Sequence, residues 1–414
     1  MANFECKVYR VESVTDHPDA DRLSLVKFKG FTCIANKLED GSHRYQEDDL
    51  VVYIPEQALL PQWMMVKLGL WDEERLKGKL AGNEGNRCKA IRLRGIYSEG
   101  ILYPIMMHQK FVDMDNADII FYDMLSYADP KREYKVDTWT EVHEGDNVAE
   151  LLGITKYEPP IPQHMAGECF GAGDIFFHYD IESIMKYPNV LIEGEKVRIT
   201  EKIHGTQTRI QFSLHKHNEN DECFEEDIYG AKLYVYIASK GLGDQGVCFK
   251  SVPNNENNVY VKIFRENFTK AMMSEILSFM YGTETSENPV TNITFYGETF
   301  GNTQDLHYGV KSNEPNKLNI FDISYGKEFV NGYVVHDWCK LLGLNQVPVL
   351  YIGPYSDEIV KSLTDGKSIY DDNQIREGCV ITPMIERYNN EIGRVILKSV
   401  SEAYKLRKNG TEFN

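Results

Sequence analysis

Short alternations of apolar and polar residues, broken by turn clusters, organise the first part of this chain. Residues 7–11, 23–28, 32–35 and 50–54 follow that pattern and predict strands. A helical stretch is predicted around residues 63–70. Next comes Arg87-Cys88-Lys89-Ala90-Ile91-Arg92-Leu93-Arg94-Gly95, the most basic window in the sequence. On a strand, Arg92 and Arg94 would share one face and Ile91 and Leu93 the other. Residues 105–150 carry weak, polar patterning and are expected to decorate this first region. The run Lys156-Tyr157-Glu158-Pro159-Pro160-Ile161-Pro162 is proline-rich and extended, which marks a boundary.

Further on, Val197 and Ile199 alternate with polar residues, as do Ile210 and Phe212, so two strands flank Glu201-Lys202-Ile203-His204-Gly205-Thr206-Gln207-Thr208-Arg209. Lys202 is thereby placed on a tight loop between strands. A lysine amine can attack a nucleotide α-phosphate, and a glycine three residues on lets the backbone turn without a side chain intruding. Because free lysine has a pKa of about 10.4, such a nucleophile needs burial or neighbouring charge to shed its proton at neutral pH. Five later strand ends supply polar partners in a fixed order: Lys240, Glu298, Phe321-Asp322, Glu377 and Lys398.

That ordered set resembles the nucleotidyltransferase motifs of ATP-dependent polynucleotide ligases and mRNA capping enzymes. Histidine at position 204 is similar to the RNA ligase branch. Further likeness lies in Gln304-Asp305-Leu306-His307-Tyr308-Gly309, in residues 347–354 and in Lys398-Ser399-Val400-Ser401-Glu402-Ala403-Tyr404. These resemble nick-sealing RNA ligases that carry an extra OB domain. The resemblance implies an α+β fold: a small OB-type β-barrel, then a nucleotidyltransferase domain of antiparallel sheets with helices. The expected boundaries are 1–155 for the barrel domain, 156–189 for a connector and 190–414 for the catalytic domain. His17-Pro18-Asp19-Ala20-Asp21-Arg22-Leu23 also resembles a loop of OB-fold tRNA-binding modules.

The same resemblance implies roles. Lys202 would accept AMP from ATP. Glu201, His204, Gly205, Arg209, Glu298, Phe321 and Lys398 would bind the nucleotide, with Glu298 at the ribose, Phe321 on the adenine and Lys398 at the α-phosphate. Glu377 would help hold Mg2+ or Mn2+, and Lys240 would serve nick recognition. Arg92 and Arg94 offer phosphate contacts on the barrel. The implied partner is a nicked RNA or RNA/DNA duplex, handled by a monomeric, cytoplasmic enzyme of RNA repair. Three positions depart from the pattern. Lys240 stands where arginine is frequent, Thr382 where a basic residue is common, and Ile396 where the first lysine of Lys-x-Lys is usual. That leaves Lys398, alone or with Arg394, to cover the last task. A capping guanylyltransferase would share the first step with GTP, but His204 and residues 398–404 favour a ligase. A non-catalytic RNA-binding module would have no use for the complete motif set.

Composition narrows the class. With 414 residues, 42% hydrophobic and 12% aromatic, the chain is long enough for two folded domains. No apolar run approaches the ~20 residues of a membrane helix, and no signal-peptide pattern opens the sequence. A net charge of −18 argues against general coating of nucleic acid, though not against one local basic groove. The acidic residues of 219–227 are expected to form a solvated loop. Eight scattered cysteines without Cys-x-x-Cys predict free buried thiols rather than zinc or disulfides. His215 and His217 lack a third ligand nearby and are expected on the surface. Apolar spacing over residues 261–280 predicts one packed helix, and Trp338, Leu341 and Leu342 another.

Overall fold

The structure is a computed structural model that describes residues 4–113, 118–128, 137–282, 289–408, 410 and 411. The chain divides into two compact units, one ending at Glu158 and the next beginning at Pro159.

In the first unit, strands Val8–Arg10, Leu50–Ile54 and Ile101–Pro104 form one antiparallel sheet, with Leu50–Ile54 central. Strands Ser13–His17, Ala20–Phe28 and Phe31–Asn36 form a second, a simple meander. Hydrogen bonds from Glu99 N to Thr32 O (3.2 Å) and from Ile34 N to Ser98 Oγ (2.9 Å) tie the edge of the second sheet to the segment that leads into Ile101–Pro104 of the first, as in a small barrel. Every residue of Leu50–Ile54 is buried, and alternation explains why. Val51 and Tyr53 join Val26, Phe28 and Phe31 in one core cluster, while Leu50, Val52 and Ile54 face Met64, Met65 and Leu152 in another. The predicted helix is present as Gln62–Lys67.

Two expectations for this unit are corrected. Residues 105–150 hold a three-stranded antiparallel sheet of Met106–Asp113, Asp118–Ala128 and Asp137–Glu141 rather than mere decoration. Arg92 and Arg94 do not share a strand face, because the strand Ile91–Leu93 stops before Arg94. Arg94 (φ 44°) and Gly95 (φ 85°) form the two-residue turn into Ile96–Ser98, and such hairpin turns need positive φ at both central positions. Both arginines are exposed, at and beside a hairpin tip.

The second unit is built on two antiparallel sheets with one parallel edge pairing. Five strands run in the order Glu182–Ser183, Leu397–Val400, Gly378–Pro383, Lys196–Lys202, Val349–Pro354. Six run in the order Phe224–Ile228, Ala231–Ser239, Thr206–Ser213, Asn292–Phe300, Lys317–Tyr325, Glu328–Phe329. The segment expected as a connector contributes strands here: Cys169–Gly171 pairs with Val247–Phe249, and Glu182–Ser183 pairs in parallel with Leu397 and Lys398. Ile210, Phe212, Phe295 and Ile323 of the larger sheet bury their side chains with Phe264, Ile276, Val335 and Cys339 of the helices.

The helix predicted over 261–280 is two helices, Val259–Asn267 and Lys270–Tyr281. Phe268 leaves the helical conformation (φ −113°, ψ 97°), and Thr269 caps the second helix by accepting from Met272 N. The break delivers the Phe268 ring to Phe212, 5.1 Å between centroids. On Gly332–Leu342, Trp338 stacks on Phe279 and Leu342 is buried, but Leu341 faces solvent. The acidic run is not a plain solvated loop. Phe224 and Ile228 are buried strand residues, and Asp221 is buried, accepting from Tyr236 Oη at 2.8 Å. His215 and His217 are exposed. The eight cysteines are free thiols, seven of them buried.

Candidate active site

Lys202 closes the strand Lys196–Lys202 of the smaller sheet, and Thr206 opens Thr206–Ser213 of the larger one. Ile203-His204-Gly205 is therefore the crossing between sheets. Gly205 is required there for lack of space: a Cβ would lie 2.2 Å from the Thr299 carbonyl oxygen.

Register brings the other groups in. Lys202 pairs with Gly378, so Glu377 sits one residue before the neighbouring strand, and its Oε1 lies 2.6 Å from Lys202 Nζ. Thr200 pairs with Val380, which pairs with Lys398, placing Lys398 on the same sheet face as Lys202. The intervening positions Ile199, Ile381 and Leu397 turn to a separate apolar core. Across the crossing, Glu298 pairs with Gln207.

The electrostatics confirm that these groups share one space. Burial pushes the Glu298 carboxyl up to about 8, with Lys202 drawing it down and Glu377 raising it. Burial thus favours the neutral carboxylic acid at Glu298, a form able to donate as well as accept a hydrogen bond. Burial likewise draws the Lys398 ammonium down to about 8, helped by the charges of Lys202 and Lys240. Lys202 and Lys240 thus lie close enough to Lys398 to act on its charge, and three lysines gather in one place. Lys240 opens the short helix Lys240–Asp244 and pairs with Asp180 at 3.0 Å.

Glu201 is buried; one carboxylate oxygen accepts from Ile369 N (2.9 Å), and the other has no hydrogen-bond partner among the described residues. His204 is also buried, with Nε2 2.9 Å from Asp305 and Nδ1 2.9 Å from Tyr404 Oη. Phe321 is half-buried against the cluster of Ile203, Tyr308 and Val347, and Arg198 donates to its carbonyl at 3.1 Å.

Two expected contributors are engaged elsewhere. Arg209 is fully buried, 2.9 Å from Asp244 and between the rings of Phe176 and Tyr296. Its strand face is covered by residues 175–177, where Ile175 accepts from Gln211 at 2.7 Å. Arg394 is taken up by two carboxylates. It is buried between Asp322 (2.7 and 2.9 Å) and Glu386 (2.7 and 2.9 Å) over the ring of Phe329. Asp305, Tyr404 and Arg407 are site components that motif spacing did not single out. Their only sequence signal was inclusion of the first two in family-like stretches.

A divalent metal fits this donor set. Glu377 Oε2 is buried and has no hydrogen-bond partner among the described residues, in surroundings otherwise rich in lysine. Among the described residues no cluster of three or more His, Cys, Asp or Glu is preassembled.

Residues 195–400 match the RNA ligase family model, and residues 6–105 match an OB-fold domain model. The chain belongs to the RNA ligase family. Its fold matches structures of Naegleria gruberi RNA ligase over nearly the full length of both. The form with PPi aligns at a TM-score of 0.66 and 20% identity, covering 97% of this chain and 98% of the other. A lysine-to-methionine variant with AMP and Mn aligns at 0.65 and 19%, with coverage of 97% and 98%. A lysine-to-alanine variant with ATP and Mn aligns at 0.63 and 20%, again covering 97% and 98%. No curated protein matches the chain. The ligase is thus a two-unit α+β protein whose barrel is an OB fold. Among its described residues no helix is long and apolar enough to cross a membrane.

Proposed function

We propose that this ligase uses ATP to seal 3′-hydroxyl/5′-phosphate ends held in a nicked RNA or RNA/DNA duplex, through a covalent lysyl–AMP, in RNA repair. The observation that carries the reading is the position of Lys202: at the crossing between sheets, 2.6 Å from Glu377 and sharing its space with Lys398 and Glu298. Nucleotide-bound forms of the Naegleria gruberi enzyme support ATP as substrate and a divalent metal as companion.

In the first step the deprotonated Lys202 amine bonds to the α-phosphorus. The bond from that phosphorus to the bridging oxygen breaks, and pyrophosphate leaves with the electron pair. In the second, the 5′-phosphate oxygen displaces Lys202 from AMP. In the third, the 3′-hydroxyl attacks the adenylylated phosphate and AMP departs. Phosphoryl transfer of this kind depends on alignment and neutralisation. Lys398 neutralises the α-phosphate, Glu298 engages the ribose, Phe321 covers the base, and Lys240 meets the nick phosphate. Glu201, His204 and Gly205 shape the crossing around the nucleotide. Mg2+ or Mn2+ bound through Glu377 and the triphosphate would supply further charge neutralisation. The division of labour proposed is an OB-fold unit that docks nucleic acid and a catalytic unit that carries the chemistry.

The test is incubation with labelled ATP or labelled GTP and Mg2+ or Mn2+, followed by a denaturing gel. ATP should label the chain covalently, GTP should not, and Lys202→Ala should abolish the label. Label surviving in Lys202→Ala refutes the assignment of the nucleophile; label from GTP alone would favour the capping reaction.

A further inference from the structure

Beyond the last residue matched by the family model, at 400, the chain turns back onto the crossing that carries Lys202. Ser401 is wholly buried; its N–H donates to Glu377 O (2.8 Å) and its Oγ to Arg376 O (2.9 Å). Ser401 also caps the short helix Glu402–Lys405 by accepting from Tyr404 N. That helix sets Tyr404 Oη 2.9 Å from His204 Nδ1, across 200 residues of sequence. The Arg407 guanidinium stacks on the Tyr404 ring at 3.6 Å and reaches Asp305, with Nε 2.9 Å from Oδ2. Thr411 adds its N–H (2.8 Å) and Oγ1 (3.0 Å) to Asp305 Oδ1. Asp305 in turn accepts from His204 Nε2 at 2.9 Å.

We propose that Tyr404, Arg407 and Asp305 are positioning residues that fix the His204 ring and, through it and Ser401, hold Glu377 and Lys202 in line for attack on the α-phosphate. This deepens the function proposed above and rests on that reading.

The geometry assigns one ring proton. An aspartate can only accept, so His204 Nε2 carries the proton shared with Asp305, while the tyrosine hydroxyl can meet Nδ1 as donor or as acceptor. Burial alone would raise the Asp305 carboxyl, yet hydrogen bonds from His204, Arg407 and Thr411 hold it well below the usual carboxylate range. The ring therefore faces a fixed charge on one side and a fixed hydroxyl on the other. Its Nδ1 edge lies 3.7 Å from Glu377 Oε2, and Glu377 Oε1 holds Lys202 at 2.6 Å. Rotation of the ring would take away one wall of the Glu377 site, and the lysine would lose its aim. Misplacement by about 1 Å can cost about 10²-fold in rate, so a group without substrate contact can govern the step. Lysine at 407 would keep the charge but lose the planar fork that stacks and bonds together.

The test compares the full chain with Tyr404→Phe, Arg407→Ala and Arg407→Lys. Three measurements are made: single-turnover lysyl–AMP formation against ATP concentration, sealing of a nicked duplex whose 5′ end is already adenylylated, and 15N NMR of the histidine rings. Expected for Arg407→Ala is a maximal rate of lysyl–AMP formation lowered by about 10-fold or more. Half-saturating ATP should be little changed, and sealing of the pre-adenylylated duplex should fall much less, since it makes no use of Lys202 as nucleophile. Arg407→Lys should recover part of the rate. Tyr404→Phe, which keeps the ring packing and removes one hydroxyl, should show a smaller loss in the same direction. Both Ala and Phe variants should shift the His204 ring signals from the pattern of a fixed Nε2–H form. An unchanged maximal rate, a loss confined to ATP affinity, an equal loss in both reactions, or unaltered His204 signals would each overturn the proposal. If the unaltered chain forms no lysyl–AMP at all, the ligase reading fails, whereas the NMR arm still reports whether the three residues fix the ring.

Discussion

At Lys398 a side chain connects pH to substrate binding, and Glu298, which loses its proton over the same range, acts in the same direction. Its ammonium is drawn down to about 8 by burial and by the neighbouring lysines, so it is charged below that value and neutral above it. A triphosphate binds better to the charged form. Affinity for ATP should therefore hold below pH 8 and decline as pH rises through it, with a proton taken up on binding in that window. Arginine stays charged at any accessible pH. Lys398→Arg should then lessen the alkaline decline in ATP affinity, leaving the part due to Glu298, whatever it does to the maximal rate. Binding titrations of ATP from pH 7 to 10 check this, and a decline of equal slope in both proteins would exclude Lys398 as the titrating group.

Between elements, Arg394 ties a hairpin of the second unit to the larger sheet. From the hairpin of Tyr388–Asn389 and Gly393–Arg394 it grips Asp322 on the larger sheet and Glu386 at the start of its own hairpin. The guanidinium and Asp322 are almost wholly buried. Removal of one member of such a set leaves carboxylates buried without their cation, at a cost of about 3–5 kcal/mol. Arg394→Ala should therefore lower unfolding free energy by about that amount in a denaturant titration, whereas Lys398→Arg should not. A loss under about 1 kcal/mol would show that the network is solvated in a way the geometry does not suggest.

These elements also show what was legible in the sequence. The strand pattern around Lys202 and the order of Glu298, Glu377 and Lys398 could be read because strand ends that meet at one site carry unlike residues after apolar runs. Arg394 could not be read. A buried arginine looks like any exposed one until its two carboxylate partners, 72 and 8 positions away, are in place. The same holds for Arg209, which sits on the expected strand but is claimed by Asp244 and covered by residues 175–177. The broken helix at Phe268 was hidden for a different reason: 3.6-residue spacing continues through the break, so periodicity alone does not register it. Arg407 and Asp305 escaped because their partners lie about a hundred or more residues away, beyond any local pattern.

For the molecule as a whole, the two compact units part between Glu158 and Pro159, and every group proposed for nucleotidyl transfer lies after that point. The exposed arginines at and beside the hairpin tip, Arg92 and Arg94, lie before it. If docking and chemistry are divided in this way, residues 159–414 alone should still form lysyl–AMP on Lys202. They should seal a nicked duplex poorly, because phosphate contacts supply much of the affinity regardless of sequence. The double variant Arg92→Ala/Arg94→Ala in the full chain should be milder. Its log–log dependence of nick affinity on salt should be shallower, by roughly 0.7–0.9 for each phosphate that is no longer neutralised. Lysyl–AMP formation and nick sealing, measured side by side, separate the outcomes. Sealing by residues 159–414 at the rate of the full chain would show that the OB-fold unit is not the docking unit. Failure of the folded fragment to form lysyl–AMP would show instead that the first step itself draws on the OB-fold unit, and an unchanged salt slope in the double variant would move the phosphate contacts away from this hairpin.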